Sequence, residues 1–304
     1  MEAREKNSIL VTGGRGFIGR ALVKLIQRKG YSVVSLDRVP VADAAETGGE
    51  EIHLDLTDVA QLRGVLEHQR IRKIVHLAAI LPTAAQRNPV RATEVNVQGS
   101  LHLLELAREF NVRRFVFGSS LSVYGTYPAD QTVSEDDRAA PEDLYGAAKL
   151  YVEQLGQSYR ECHGLEFVSL RVGRVVGPGA QSVSSPWRSE IFELLKADYR
   201  AEISLPYRAS ENLLLLHVED LAVMLLSLVQ ASSLTYTVYN APCKSVVVED
   251  LKRVVENLNA NITVRLGDGT PAGNPQMLDA SRFQSEFHFE SVSIFDRLRK
   301  AAGK

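Results

Sequence analysis

The sequence predicts an α/β chain: a doubly wound parallel sheet with a smaller C-terminal substrate-binding part interleaved with it. Three observations predict this. Short apolar, β-type runs alternate with helical patterns from the first residues. Three glycines stand where the first run meets the first helix. The alternation loosens beyond about residue 175, where turn-rich sequence enters.

The first run is "SILVTG", and "FIGRALVKLIQRKG" then places Phe17, Leu22, Leu25 and Ile26 at helical spacing before Gly30. "YSVVSLD" is a second strand and "EIHLDL" a third. "DVAQLRGVLEHQR" is a helix and "KIVHLAAI" a fourth strand. "PVRATEVNVQGSLHLLELAREF" is one long helix with its apolar residues on one side. "RRFVFGSS" and "LEFVSLRV" are the fifth and sixth strands, with the helical "LYGAAKLYVEQ" between them. Such alternation implies right-handed crossovers and helices on both faces of a parallel sheet. Later, "GPGAQSVSSPWRS" is turn-rich, "EIFELLKADYR" a helix, and "LLLLHVEDLAVMLLSLV" a short strand leading into an apolar helix. "TYTVYNAP" returns as a last sheet strand, and "VEDLKRVVENLN" opens a helical tail. The expected division is a nucleotide-binding part over 1–175, to which 213–243 return, and a small substrate-binding part from 176–212 and 244–304.

The 304 residues are 45% hydrophobic and 24% charged, enough to bury a substantial core. The net charge of −2 gives no reason to expect nucleic acid or a membrane surface as partner. Cys162 and Cys243 are too few for a disulfide framework, and the seven histidines form no metal-ligand pattern, so no metal is expected. His76 and His217 are expected as packed structural residues. The start lacks an apolar signal core, and charges interrupt the longest apolar run, which points to a cytoplasmic compartment.

"VTGGRGFIGR" spaces Gly13, Gly16 and Gly19 as G-x-x-G-x-x-G between a strand and a helix. Glycines there permit a tight turn and let backbone N–H groups, those opening the helix at Phe17 and Ile18 included, approach a pyrophosphate. Asp37 ends the second strand, where a carboxylate bonds the adenosine ribose and repels a 2′-phosphate, so NAD is favoured over NADP. Arg38 beside it softens that preference. Tyr145 and Lys149 are four apart and share a helical face. A nearby ammonium favours the phenolate, giving a base for an alcohol proton while hydride leaves the same carbon. "FGSSLSVYG" puts hydroxyls at the C-terminal end of the fifth strand. Ser120 is the preferred donor to a substrate oxygen, with Ser119 and Ser122 as competitors.

Together, "TGGRGFIG", Asp37, "LDLTD", "VHLAA", Asn96, "SSLSVYG", "YGAAK", "LRVGRVVGPG" and "HVEDLA" resemble the extended short-chain dehydrogenase/reductase superfamily, the NAD-dependent epimerase/dehydratase group with its Rossmann fold. The resemblance implies that Asp55 and Leu56 contact adenine, that Ala78 and Ala79 line the pyrophosphate and ribose path, and that Asn96 lies beside the cofactor. It gives Ser120, Tyr145 and Lys149 the catalytic roles. It also implies a homodimer formed by the helices beginning near Pro89 and Glu142; the first carries an apolar stripe of Val90, Val97, Leu101 and Leu104, which serves either that interface or the core. Leu121 and Ser122 replace the acid pair of the group's dehydratases, which argues against 4,6-dehydration. The stretch before "HVED" lacks the arginine motif with which its epimerases grip a diphosphate. It looks more like threonine and aldonate dehydrogenases, which implies a small hydroxy acid or sugar acid as substrate. Arg174, Arg188 and Arg208 are candidate carboxylate anchors, and Thr83 a candidate hydroxyl contact. The alternatives are a nucleotide-sugar epimerase and a non-catalytic NAD-binding regulator.

Overall fold

The computed structural model describes residues 8–39, 50–180 and 184–304. The main sheet takes its strands from the apolar runs: β1 (Ser8–Thr12), β2 (Val33–Asp37), β3 (Glu50–His53), β4 (Ile71–His76) and β5 (Arg114–Ser120). A two-residue β6 (Thr132–Val133) follows, then β7 (Glu166–Val172), β8 (Arg174–Val176), β9 (Ala201–Tyr207), β10 (Asn212–His217) and β11 (Val238–Asn240). The last strands are β12 (Lys244–Val247), β13 (Ile262–Gly269) and β14 (Met277–Leu278). Seven strands form one parallel sheet in the order β3-β2-β1-β4-β5-β7-β11. The strand order reverses at β1, and the glycine turn leaves from the end of that strand, where open α/β sheets bind ligands.

The helices are α1 (Phe17–Arg28), α2 (Val59–His68), α3 (Pro82–Arg87), α4 (Pro89–Thr93), α5 (Ser100–Glu109) and α6 (Leu144–His163). Beyond them lie α7 (Trp187–Glu193), α8 (Val218–Gln230), α9 (Val248–Leu258), α10 (Ser281–Phe287) and α11 (Ile294–Ala302). Leu22, Val23 and Ile26 of α1 and the apolar face of α8 bury one side of the sheet through Ile9, Val11, Val75 and Val116. Leu62 and Leu66 of α2, Leu103 and Leu104 of α5 and Val152 of α6 bury the other through Leu10, Ile74 and Phe115. Both faces of every central strand are covered, so those strands read as unbroken apolar runs rather than as alternations.

Three features differ from the sequence expectation. The long helix over 89–110 is interrupted by a π-helical segment, Glu94–Gly99, between α4 and α5. The helix expected over 190–200 is α7, which starts at Trp187 and gives way to a 3-10 turn at Leu194–Lys196. "ISLPY", which carries no strong strand signal among its polar flanks, forms β9 and pairs in parallel with β13. In the later residues, β8, β10 and β12 form a three-stranded sheet. It packs with α7, α9 and α11 around a core of Trp187, Ile191, Leu213, Leu215, Leu251 and Leu298. The chain rejoins the main sheet through α8 and β11.

Candidate active site

The glycine loop is closed tightly enough to exclude side chains. Gly13 has φ +70°, and a Cβ there would lie 2.8 Å from the Ala78 nitrogen. A Cβ on Gly19 would lie 2.0 Å from the Gly13 carbonyl oxygen. Gly16 caps α1 in extended geometry with no side chain on the helix end, so the N–H groups of Phe17, Ile18 and Gly19 open the helix without a side-chain cap. Such an end favours an anion. Asp37, at the end of β2, accepts the Arg15 N–H on Oδ2 at 3.1 Å and the Val39 N–H on Oδ1 at 3.1 Å. The carboxylate is thereby fixed at the rim of the loop. A tight glycine turn opening a helix, with a carboxylate fixed at its rim, is a set that fits a dinucleotide.

Asp55 follows β3 and accepts Thr57 N–H at 3.0 Å and Thr57 Oγ1–H at 2.7 Å; Arg91 binds its other oxygen. Burial alone would raise its pKa, but the Thr57 hydrogen bonds and the Arg91 charge hold it below the usual carboxylate value. Leu56 is buried in the core. Ala78 and Ala79, just past β4, are half-buried against the glycine loop.

Asn96 lies in the π-helical segment, buried, and its amide is committed. Its Oδ1 accepts Ile80 N–H at 2.7 Å and its Nδ2 donates to the Ile80 carbonyl at 2.9 Å. The side chain therefore pins the strand extension carrying Ala78 and Ala79, acting beside the site through the backbone. A second device works on the same extension. Ser100 Oγ donates to the Asn96 carbonyl at 2.7 Å and so receives His76 Nε2–H at 2.9 Å. His76 Nδ1 then accepts from Thr12 Oγ1 at 2.6 Å, and Thr12 Oγ1 takes a long 3.4 Å bond from Ala78 N–H. This arrangement requires a neutral imidazole protonated on Nε2. Complete burial, with the nearby Lys149 charge adding to it, lowers the His76 pKa to about 3.

The three competing serines separate by their partners. Ser119 Oγ donates to Glu153 Oε1 at 2.5 Å, in the core. Ser120, the last residue of β5, accepts Ser122 N–H at 3.1 Å, and its hydroxyl turns to Ser122 Oγ at 3.1 Å. Ser120 thus lies at the strand end with a donor not tied to a charge. Helix α6 begins over this turn: Asp143 caps it through Gly146 N–H at 2.6 Å, and a Cβ on Gly146 would lie 2.3 Å from the Ser122 carbonyl oxygen. That close approach brings the first turn of α6, with Tyr145, onto the serine turn.

Lys149, one turn later, is buried and donates to the Gly118 carbonyl at 2.6 Å. Its Nζ lies 4.5 Å from the Phe117 ring centroid and 5.5 Å from that of Tyr145. Burial brings its pKa down to about 7, against an upward pull from Glu153, the next residue along the same helical face. The expectation that Lys149 lowers the Tyr145 pKa is corrected here. Burial, with Asp143 adding to it, raises the phenol, and the cation acting downward on it is Arg188.

Arg188 and Arg174 lie beside each other near Tyr207, and Arg188 also lies near Tyr145. Neither makes an ion pair among the described residues, and the buried Arg188 Nε has no hydrogen-bond partner. Burial lowers the Arg188 pKa and the Arg174 charge lowers it further; Tyr207 and Tyr145 oppose this. The Arg174 guanidinium lies 5.9 Å from the Tyr207 ring centroid. Two mutually repelling guanidiniums beside a phenol are an arrangement that an anion would relieve. Arg208 is not brought to this pair: it is exposed, and its Nε donates to the Asp268 carbonyl at 2.9 Å. Thr83 is exposed in the first turn of α3.

Sequence reasoning missed Glu153, Arg171 and Tyr124. Arg171 is paired with Glu153 at 2.7 Å in the core, and Tyr124 stacks under Arg171 at 4.7 Å. The signal for Glu153 was its i+4 spacing from Lys149; Arg171 lies on a separate strand and had none.

The family model for the NAD dependent epimerase/dehydratase family matches residues 9–241. The chain is 30% identical to a dTDP-4-dehydro-6-deoxy-D-allose reductase of Streptomyces bikiniensis, over 97% of this chain and 95% of that one. It is 32% identical to a UDP-glucose 4-epimerase of Lacticaseibacillus casei over 56% of this chain and 52% of the other. Among solved structures, the GalE-like L-threonine dehydrogenase from Cupriavidus necator superimposes with a TM-score of 0.87 at 21% identity, covering 98% of this chain and 99% of that one.

Proposed function

The chain belongs to the NAD dependent epimerase/dehydratase family, and on that footing we propose that it oxidises a hydroxyl on a small anionic substrate, a hydroxy acid or sugar acid. It is an NAD-dependent enzyme of the short-chain dehydrogenase/reductase superfamily. The observation that carries the substrate reading is the Arg174 and Arg188 pair beside Tyr145, without a carboxylate partner among the described residues.

In this reading Gly13, Gly16 and Gly19, with the N–H groups of Phe17 and Ile18, hold the pyrophosphate. Asp37 holds the adenosine ribose, and Asp55 and Leu56 the adenine edge. Ala78 and Ala79 form the wall that Asn96 keeps in place through Ile80. NAD, when bound, supplies the hydride acceptor. The chain supplies the rest. Ser120 Oγ–H donates to the substrate oxygen, and Tyr145 Oη receives its proton. Lys149 holds the nicotinamide ribose from its seat on the Gly118 carbonyl. Arg174 and Arg188 fix the substrate carboxylate, which sets the carbon to be oxidised against the tyrosine. Thr83 and Arg208 are peripheral in this reading. Arg188 also draws the buried phenol toward ionisation.

The test is reduction of NAD with a panel of aldonates, uronates and hydroxy amino acids. The result expected is reduced coenzyme with at least one acid, with Arg188→Leu raising KM by about tenfold or more. Turnover of UDP- or dTDP-sugars alone overturns the reading. That outcome is the second reading, a nucleotide-sugar reductase or epimerase, favoured by the end-to-end match to the Streptomyces reductase. An epimerase would leave no reduced coenzyme in solution.

Two finer readings accompany this one. The homodimer is proposed on the face where Val90, Leu144 and Tyr151 stand exposed beside a groove lined by Pro89, Ala92, Val97 and Ala148. Leu104 of the same stripe takes the core alternative. The cytoplasm is proposed as its compartment; no helix among the described residues is long and apolar enough to cross a membrane.

A further inference from the structure

We infer that Glu51 sets the coenzyme preference of this site, by holding the Arg15 guanidinium so that it is withheld from a 2′-phosphate on the adenosine ribose. This rests on the reading that Asp37 meets that ribose.

Arg15 stands inside the glycine loop, and its backbone N–H is one of the two donors that fix the Asp37 carboxylate. A cation at that point of the chain lies next to the ribose hydroxyls. A free guanidinium there would take a phosphate in two parallel hydrogen bonds. The guanidinium is not free. It reaches across β2 to β3 and binds Glu51 Oε2 at 2.5 Å, with the arginine and glutamate side chains 25% and 12% exposed. The strand register explains the reach. Ser35 pairs with Glu51 and Asp37 with His53, so Glu51 and Asp37 project from neighbouring strands on one face, two pairs apart along the ladder. Arg15 therefore lies between two carboxylates, and the three side chains sum to a single negative charge. Arg38 is exposed and shares its carbonyl with His53 Nε2 at 2.8 Å.

Asp37 alone repels a 2′-phosphate. Glu51 adds a second negative charge and removes the one loop cation that would have compensated. The preference for the unphosphorylated ribose is thus built from two acids on adjacent strands rather than from the strand-end aspartate alone.

The test is calorimetric titration of the full chain with ADP-ribose and with its 2′-phosphate. The wild type is expected to bind ADP-ribose more tightly. Glu51→Gln is expected to raise affinity for the 2′-phosphate by about tenfold while leaving ADP-ribose within about threefold, and Asp37→Asn/Glu51→Gln to raise it further. Adding Arg15→Leu to Glu51→Gln is expected to abolish the gain. Arg15→Leu alone is expected to leave the wild-type ratio within about threefold, since the guanidinium is already engaged. An unchanged ratio in Glu51→Gln, or a gain that survives loss of Arg15, overturns the inference while the coenzyme reading stands. If Glu51→Gln does not fold, a large drop in the ratio with Arg15→Leu alone overturns it instead. Absence of ADP-ribose binding to the wild type overturns both.

Discussion

Tyr145 and Lys149 sit in a cleft whose burial opposes both of their charged forms, and this sets what each contributes. Tyr145→Phe removes the proton acceptor and leaves the ring in place. It is expected to lower kcat by about 10²–10⁴-fold with coenzyme affinity unchanged, a split read by steady-state kinetics beside a binding titration. Lys149 and His76 also leave a signature in stability. Each has a folded pKa below its unfolded value: about 7 against 10.5 for Lys149, about 3 against 6.5 for His76. Between those limits the unfolded chain binds more protons than the folded one, so stability rises with pH across both windows. His76 governs the acid window and Lys149 the alkaline one. Thermal unfolding across the alkaline window is expected to lose part of its upward slope in Lys149→Met, and a slope identical to wild type would count against burial as the cause.

At the scale of the element, the π-helical turn between α4 and α5 shows how a local irregularity serves the site. An uninterrupted α-helix would change the phase at which Asn96 and Ser100 meet β4. With the extra residue in the turn, Asn96 takes both backbone groups of Ile80, and Ser100 closes the chain to His76 and Thr12. Asn96→Ala leaves Ile80 N–H and its carbonyl unpaired in a half-buried place. The cost expected is about 1–3 kcal/mol in denaturant unfolding, with weaker coenzyme binding because Ala78 and Ala79 lose their backing. The buried Glu153–Arg171 pair is a harder constraint, since each holds a charge the other neutralises. Glu153→Gln is expected to cost about 3–5 kcal/mol in the same measurement by leaving Arg171 charged and unpaired.

For the whole molecule, the sheet collects the ends of β1, β2, β4 and β5 along one edge, and the later residues fold back to face them. Arg174 and Arg188 come from that returning chain, and Arg188 lies near Tyr145. An anionic substrate should therefore stabilise the whole fold by binding between its two halves. If helices α4 to α6 also form the proposed homodimer face, Tyr151→Glu is expected to give monomers by analytical ultracentrifugation while leaving coenzyme binding intact.

The strand–helix alternation, the glycine turn, Asp37 and the Tyr145–Lys149 spacing were all legible in the chain, because each is a matter of local sterics or of helical period. The same local logic read Pro89 to Phe110 as one plain helix, since nothing in the apolar pattern marks a π turn. What the sequence by itself determined is the sheet, the glycine loop and the residues at its rim. Tertiary structure alone decided which serine at the strand end is not tied to a charge, that Arg188 rather than Arg208 stands by the tyrosine, and that burial rather than a neighbouring ammonium governs both titrating groups. The reason is that desolvation and pairing depend on which distant segments exclude water from a site. That is a property of the packed molecule, and no spacing along the chain encodes it.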